Sequence, residues 1–364
     1  MKIAHFCESI ESGGGIASFI SNLSHEQSKT NNITICSISY SPNIVSIDDS
    51  VTYLCLNKRK VGFSIKYPIK VFRLIRKNKF DIVHIHSAFL YYALSIILLH
   101  RRTKFVYTIH SDAQRENSSK WDRYFFWLKK WCFRHNWIYP VTISKVSKKS
   151  FDTLYGMDSC VIFNGIRQTH PNATDNIAQY RITENTLVFL HPGRISEAKN
   201  QLVLCKVFDR LIKENKDVVL LIAGTIQDKQ IYYNISKYFS DRIVYIGQRN
   251  DVLELLNKSD AMCLSSIWEG LPITLLESMS VGCIPICTPV GGIADVIKNN
   301  YNGILSTSTS ENDYYDAVLR FIDLHNNTKA EMRNNVLKDF EQYNIRKTSD
   351  SYLDYYNAIF NIGK

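Results

Sequence analysis

The chain has 364 residues, 45% of them hydrophobic and 21% charged, a balance that excludes a disordered chain and suits two cores at about 100–200 residues per domain. The net charge of +10 is lopsided: residues 1–170 hold 24 of the 44 Lys+Arg but only 11 of the 34 Asp+Glu. An anionic partner is expected on that half, whether a membrane surface, nucleic acid or a phosphate-bearing substrate. Nine cysteines, odd in number and scattered through apolar runs, fit reduced thiols of a cytoplasmic protein and exclude a disulfide framework.

The chain opens on MKIAHFCES, without the charged region and long apolar core of a secretory signal. Strand-like runs lie at 2–7, 33–39, 51–56, 81–86, 104–110, 137–144 and 160–165, separated by helical stretches at 16–29, 67–78, 88–100 and 121–135. The apolar run 88–100 is shorter than the roughly 18–20 residues a spanning helix needs, so a soluble chain is expected. Residues 167–186 are polar and aperiodic and read as a linker. A second alternating series follows, with strands at 187–193, 218–224, 242–247, 261–266 and 284–289 and helices between them, before a helical end. Such alternation predicts parallel βαβ units. The expectation is an α/β chain of two facing Rossmann-like domains with an interdomain cleft: 1–168, a linker 169–186, 187–340, and a final helix, 341–364, crossing back to the first domain.

Ligands of open parallel sheets bind beyond the carboxyl ends of the strands, and three stretches fall there. ESGGGIAS places Gly13, Gly14 and Gly15 between the first strand and a helix, where close backbone approach and a helix N-terminus suit an anion. A flexible turn is the alternative, and a dinucleotide fingerprint fits poorly because position 18 is Ser. HPGRISEAKNQ places Arg194 and Lys199 ahead of a helix, a fork and a point charge suited to a diphosphate, or else two solvated surface charges. SSIWEGLPITLLESMSVG sets Glu269 in a loop, Pro272 at the first helical position, and Glu277 at the edge of a buried face made by Ile273, Leu276, Met279 and Ser280. Glu269 could simply favour the helix dipole and Glu277 be solvated.

The E-x7-E pattern with EGLP, the GR…KN loop, the glycine loop, FNGI at 163–166 and the run GCIPICTPVGGIADVIKNNYNGIL together resemble the retaining GT-B glycosyltransferases of family 4. The resemblance implies that Arg194 and Lys199 stabilise a departing diphosphate, that Glu277 accepts hydrogen bonds from the ribose, and that Glu269 with the backbone of Gly270, Leu271, Pro272 and Ile273 holds the donor sugar. Gly14 and Gly15 would also bind the donor, and His110 would lie near sugar and acceptor. It implies same-face substitution assisted by the leaving phosphate, a covalent intermediate on Glu269 being the less favoured route. The expected function is transfer of a hexose or N-acetylhexosamine from a UDP-linked donor to a polyprenyl-diphosphate-linked glycan in surface polysaccharide synthesis.

No cofactor is expected, the nucleotide-sugar entering as substrate. No metal is expected either: there is no D-x-D triplet, and His84 and His86, on one side of DIVHIH, read as structural. The basic stretches 67–79 and 120–137, the second with four tryptophans, suit either a solvated basic helix face or an anionic membrane, placing the protein in the cytoplasm and peripherally at the inner membrane face. No nucleic acid is expected. Two rivals stand beside this reading: a sugar-nucleotide epimerase of the same fold, and a non-catalytic anion- or nucleic-acid-binding protein.

Overall fold

The computed structural model describes residues 1–12, 14–59, 63–117, 123–168 and 177–362. The chain divides into two compact units, Met1–Arg167 with Asn344–Lys364, and Gln168–Tyr343.

The first unit is a seven-stranded sheet in the order β3-β2-β1-β4-β5-β6-β7. Its strands are β1 (Lys2–Cys7), β2 (Asn32–Ser39), β3 (Thr52–Lys58), β4 (Ile82–Ile85), β5 (Lys104–Ile109), β6 (Ile138–Thr142) and β7 (Cys160–Val161). Every pairing is parallel, and the central strands β1 and β4 are buried almost throughout, which is why they read as continuous apolar runs rather than alternating ones. The helices are α1 (Gly15–Ser28), α2 (Lys66–Asn78), α3 (Ala93–Leu99), α4 (Ala113–Glu116), α5 (Phe126–Arg134) and α6 (Lys145–Tyr155), joined by the last helix of the chain, α14 (Ile345–Asn361), which packs on α1.

Local chemistry explains the departures from expectation. The helix expected over 88–100 is split into a short 3₁₀ turn at Phe89–Tyr91 and α3, after Ala88 takes a left-handed φ of 61°. The helix expected over 121–135 occupies Phe126–Arg134, and Lys120, Trp121 and Asp122 lie outside the described residues. On α2 the buried side chains are Tyr67, Pro68, Val71 and Ile75, while Ile69 is exposed. Helix α6 lies beyond the expected helices; it buries Ser147, Phe151 and Tyr155 on one face, and Ser144 starts it by accepting the Ser147 N–H at 3.0 Å, a local capping bond that hydrophobic patterning does not register.

The second unit is a six-stranded parallel sheet in the order β10-β9-β8-β11-β12-β13. Its strands are β8 (Leu187–Pro192), β9 (Val218–Ala223), β10 (Ile243–Gly247), β11 (Ala261–Leu264), β12 (Ile284–Cys287) and β13 (Ile304–Leu305). The accompanying helices are α7 (Gln201–Lys213), α8 (Lys229–Ser236), α9 (Val252–Lys258), α10 (Ile273–Ser280), α11 (Ile293–Val296), α12 (Glu311–Ile322) and α13 (Asn326–Phe340). The helical end of the chain is two helices because a turn at Glu341–Tyr343 separates α13 from α14. All nine cysteines are free thiols, and no described helix is long and apolar enough to cross a membrane.

Strand order reverses between β1 and β4 in one sheet and between β8 and β11 in the other. At such switch points adjacent loops leave in opposite directions and open a crevice beyond the strand ends. The loops after β8 and β11 are those carrying Arg194, Lys199 and Glu269.

Candidate active site

In the second unit the switch point brings two of the sequence-predicted residues into contact. Lys199 Nζ lies 2.7 Å from Glu269 Oε1, and the same carboxylate oxygen accepts the Ser266 hydroxyl at 2.7 Å. Both charged side chains are mostly withdrawn from solvent, 16% and 12% exposed, where an ion pair is screened far less than at a surface. Lys199 is thus oriented by an acid before any ligand arrives. Arg194 is exposed, and its guanidinium has no partner among the described residues. The expected cation pair is therefore asymmetric: one charge is pre-paired and one is free.

The β8 loop is held by buried polar groups that sequence reading passed over. His191, at the apolar end of β8, donates through Nδ1 to the Cys263 carbonyl on β11 at 2.8 Å, which ties the two switch-point strands together. Burial lowers its pKa to about 4, so the ring is neutral and its Nε2 accepts from Gln201 Nε2 at 3.1 Å. Gln201 also donates to the Arg194 carbonyl at 2.8 Å. Ser265 Oγ, 3.1 Å from the carbonyls of both Lys199 and Asn200, fixes the end of the loop. A histidine and a glutamine ten residues apart carry no spacing signal; only the fold reveals that they meet.

The β11 loop is gripped from the other side. Gly291 has φ +54°, and a Cβ there would lie 2.0 Å from the Glu269 carbonyl oxygen and 2.9 Å from that of Gly270. Its neighbour Gly292 donates its N–H to Gly270 O at 2.6 Å. Only glycine allows this approach. Gly291→Ala is expected to push the Glu269 loop out of place and to lower kcat/KM about 100-fold, measured in a transfer assay beside a thermal melt that establishes folding.

Pro272 is not the first helical residue, as expected from sequence, but the residue before it. Its φ of −65° suits either place, yet ψ is 128°, extended, and its carbonyl receives the N–H groups of Leu275 and Leu276. Helix α10 starts at Ile273, so the amides of Ile273 and Thr274 are first-turn donors outside the helical ladder. The buried residues of α10 are Leu275, Leu276, Ser278, Met279 and Ser280; Ile273 is only partly covered. Glu277 is partly buried, and its carboxylate has no hydrogen-bond partner among the described residues. Burial pushes its pKa up to about 7. Thr274, one turn earlier, also has an unpartnered buried hydroxyl. Two unsatisfied polar side chains on one helix face are costly unless a ligand completes them.

In the first unit, Gly14 precedes α1 in extended conformation and Gly15 is its first residue; no side chain caps this helix and no acid lies in its first turn. Gly13 lies outside the described residues. His110 directly follows β5; its backbone N–H donates to Glu116 Oε1 at 2.8 Å, and burial pushes Glu116 up to about 7. His5, His84 and His86 bring ring nitrogens within 4.8 Å of one another, a grouping that could hold a metal ion. All six nitrogens are already in hydrogen bonds: to Gln27 and His86 from His5, to Tyr356 and Thr108 from His84, and to His5 and His110 from His86.

Residues 172–339 match the model for glycosyl transferases group 1 and residues 13–169 that for glycosyltransferase family 4. The chain belongs to glycosyltransferase family 4. A UDP-Gal:alpha-D-GlcNAc-diphosphoundecaprenol alpha-1,3-galactosyltransferase of Escherichia coli is 27% identical over 336 residues, 85% of this chain and 84% of its own. The capsular polysaccharide biosynthesis glycosyltransferase CapH of Staphylococcus aureus is 24% identical over 67% of this chain and 68% of its own. Among solved structures, a glycosyltransferase from Rickettsia africae superposes with a TM-score of 0.79 at 17% identity, covering 99% of this chain and 98% of that one. Anabaena Alr3699/HepE in complex with UDP-glucose superposes with a TM-score of 0.78 at 16% identity, covering 98% and 100%. The two parallel sheets with their helices are thus those of a GT-B glycosyltransferase, and the switch-point loops of this family 4 enzyme are where its charged and unsatisfied groups gather.

Proposed function

We propose that this glycosyltransferase transfers a hexose or N-acetylhexosamine, with retention of anomeric configuration, from a UDP-linked donor to a polyprenyl-diphosphate-linked glycan in surface polysaccharide synthesis. The observation that carries the reading is the set of polar groups on the second unit: Glu277, its pKa raised by burial and its carboxylate without a hydrogen-bond partner among the described residues, Arg194, exposed and likewise unpartnered among them, and Lys199 poised on Glu269. A ribose diol donating to Glu277, and a diphosphate accepting from Arg194, Lys199 and the amides that open α10, would satisfy every one of them. Glu269, with the Gly270–Ile273 backbone, then holds the sugar. Gly14 and Gly15 offer the open start of α1 to phosphate, and His110 offers a ring nitrogen to a sugar hydroxyl. The Escherichia coli relative, by its name, takes UDP-Gal and a diphosphoundecaprenol acceptor, which supports the donor and acceptor classes.

As the UDP leaving group departs, negative charge grows on its β-phosphate, and cations fixed in advance stabilise that charge without reorganising. The departing oxygen can take the acceptor's proton on the same face of the sugar. In this scheme Arg194 and Lys199 carry the charge of the diphosphate, and no carboxylate-held metal is invoked. NMR of the product glycan tests it: an anomeric configuration equal to the donor's is expected, and an inverted linkage would rule out same-face substitution.

The same reading places the protein at the cytoplasmic membrane face. Tyr124 and Trp127 are 76% and 74% exposed, and Trp131, Ile97 and Leu98 are also open to water. Trp131 packs edge-on against Trp137, which stacks on His100 at the end of α3, so the exposed ends of α3 and α5 form one aromatic surface. Exposed Arg101, Arg102 and Arg134 flank it. Aromatic and apolar side chains beside cations match an anionic lipid interface. Trp127→Glu with Leu98→Glu is expected to abolish co-sedimentation with anionic vesicles while leaving turnover of a short water-soluble acceptor intact.

A further inference from the structure

A hydrogen-bonded chain runs under the first-unit switch point into His110. Gln27 Oε1, on α1, lies 2.8 Å from His5 Nε2 on β1; His5 Nδ1 lies 3.1 Å from His86 Nε2; and His86 Nδ1 lies 3.0 Å from His110 Nε2. Its direction follows from the end group. An amide oxygen only accepts, so His5 Nε2 carries its ring's proton. A neutral imidazole has one N–H, so His5 Nδ1 accepts from His86 Nε2–H, and His86 Nδ1 accepts from His110 Nε2–H. That leaves His110 Nδ1 as a bare acceptor. Burial lowers His5 to about 4 and His110 to about 3, and holds His86 well below its ordinary value, so neutral rings are the relevant forms at physiological pH. The His84 ring is tilted by 35° against that of His86, centroid to centroid 4.0 Å, but stands outside the chain, its nitrogens taken by the Tyr356 and Thr108 hydroxyls at 2.6 Å each.

We infer that Gln27, His5 and His86 are positioning residues that lock His110 in its Nε2–H tautomer and present Nδ1 as a hydrogen-bond acceptor to the substrate. The functional part rests on the proposed role of His110 toward the sugar; the tautomer does not. The backbone N–H of His110 is tied to Glu116 at 2.8 Å, which fixes the main chain there, and the Phe19 ring meets the imidazole edge-on at 5.8 Å.

Long-range proton–nitrogen NMR of protein labelled with ¹⁵N-histidine tests this directly. In the wild type His110 is expected to show a protonated Nε2 and an unprotonated Nδ1 from pH 8 to pH 5. Gln27→Met removes the terminal acceptor and is expected to populate the opposite His110 tautomer and to lower kcat roughly tenfold, with KM for the nucleotide-sugar within about twofold. Gln27→Glu, which keeps an accepting oxygen, should restore the tautomer. A wild-type His110 protonated at Nδ1 would overturn the inference, as would a metal ion on His5 and His86 in the purified protein, or a Gln27→Met protein with unchanged tautomer and kcat. His110→Ala transferring sugar at the wild-type rate would refute the role of His110 while leaving the spectroscopic result standing.

Discussion

Lys199→Ala is expected to transfer sugar about 100- to 1,000-fold more slowly than wild type, the loss typical of one preorganised charge removed from a leaving group. The structure adds a second expectation. Lys199 is the counter-charge of Glu269, 2.7 Å away and only 12% exposed, so the alanine variant leaves a withdrawn carboxylate whose remaining side-chain donor among the described residues is Ser266. Its melting temperature should therefore fall together with kcat. Arg194→Ala provides the contrast, because that guanidinium is exposed and has no partner among the described residues: kcat should drop by a similar order while the melting temperature stays put. Pairing Lys199→Ala with Glu269→Ala should recover much of the lost stability and none of the activity. Turnover with a panel of nucleotide-sugars, read beside thermal melts of the four proteins, separates the two roles of Lys199. Equal stability losses for the arginine and lysine variants would contradict the asymmetry.

Donor affinity should rise with pH through neutrality, and Glu277 is the reason. Burial pushes its carboxyl from the ordinary 4.5 up to about 7, so below neutrality the free protein holds a proton there. Ribose hydroxyls donating to the oxygens favour the ionised form, so binding must expel that proton. The dissociation constant for a UDP-sugar should then increase toward a limit of about tenfold per pH unit below pH 7. Calorimetry in buffers of differing ionisation heat should detect up to one proton released. Glu277→Gln removes both effects and weakens binding roughly 10- to 100-fold, the worth of hydrogen bonds to a charged acceptor. The sign for stability is opposite. The folded state binds this proton more tightly than the unfolded chain, so the contribution of Glu277 to the ligand-free fold declines as pH rises from about 4.5 through about 7. A pH-independent dissociation constant would remove Glu277 from the ribose.

The parallel sheets were legible because buried parallel strands are unmistakable apolar runs, as in DIVHIH and VVLLIAG. Helices whose start rests on a single side-chain bond, such as α6 behind Ser144, were not. At the site, the chemistry-bearing residues could be picked out singly: Glu269, Glu277, Arg194 and Lys199 stand in loops or on helix edges where charge is unusual. Their relations could not. That Lys199 serves Glu269 before it serves a ligand depends on strand order, which places β8 beside β11. The supports of the site, His191, Gln201, Gly291 and the His5–His86 pair, are buried or backbone effects. His86 in DIVHIH and Gly291 in the run GCIPICTPVGGIADVIKNNYNGIL stand out in the sequence, but no one-dimensional pattern shows what they touch.

The return of α14 to the first unit has a consequence for synthesis. Residues 345–361 supply Tyr352 and Tyr356, both wholly buried, the latter hydrogen-bonded to His84 on the central strand β4. The chain re-enters beside its point of departure, with the Ile345 N–H on the Ile166 carbonyl at 2.9 Å. On the ribosome, β1 to β7 emerge first but stay unsealed, a face of β4 and α1 bare, while all of the second unit is translated. The second unit has every strand and helix it needs as soon as Tyr343 clears the exit tunnel. The order of completion is therefore the reverse of the order of translation, and a nascent chain paused before its last helix exposes the histidine face to chaperones and solvent.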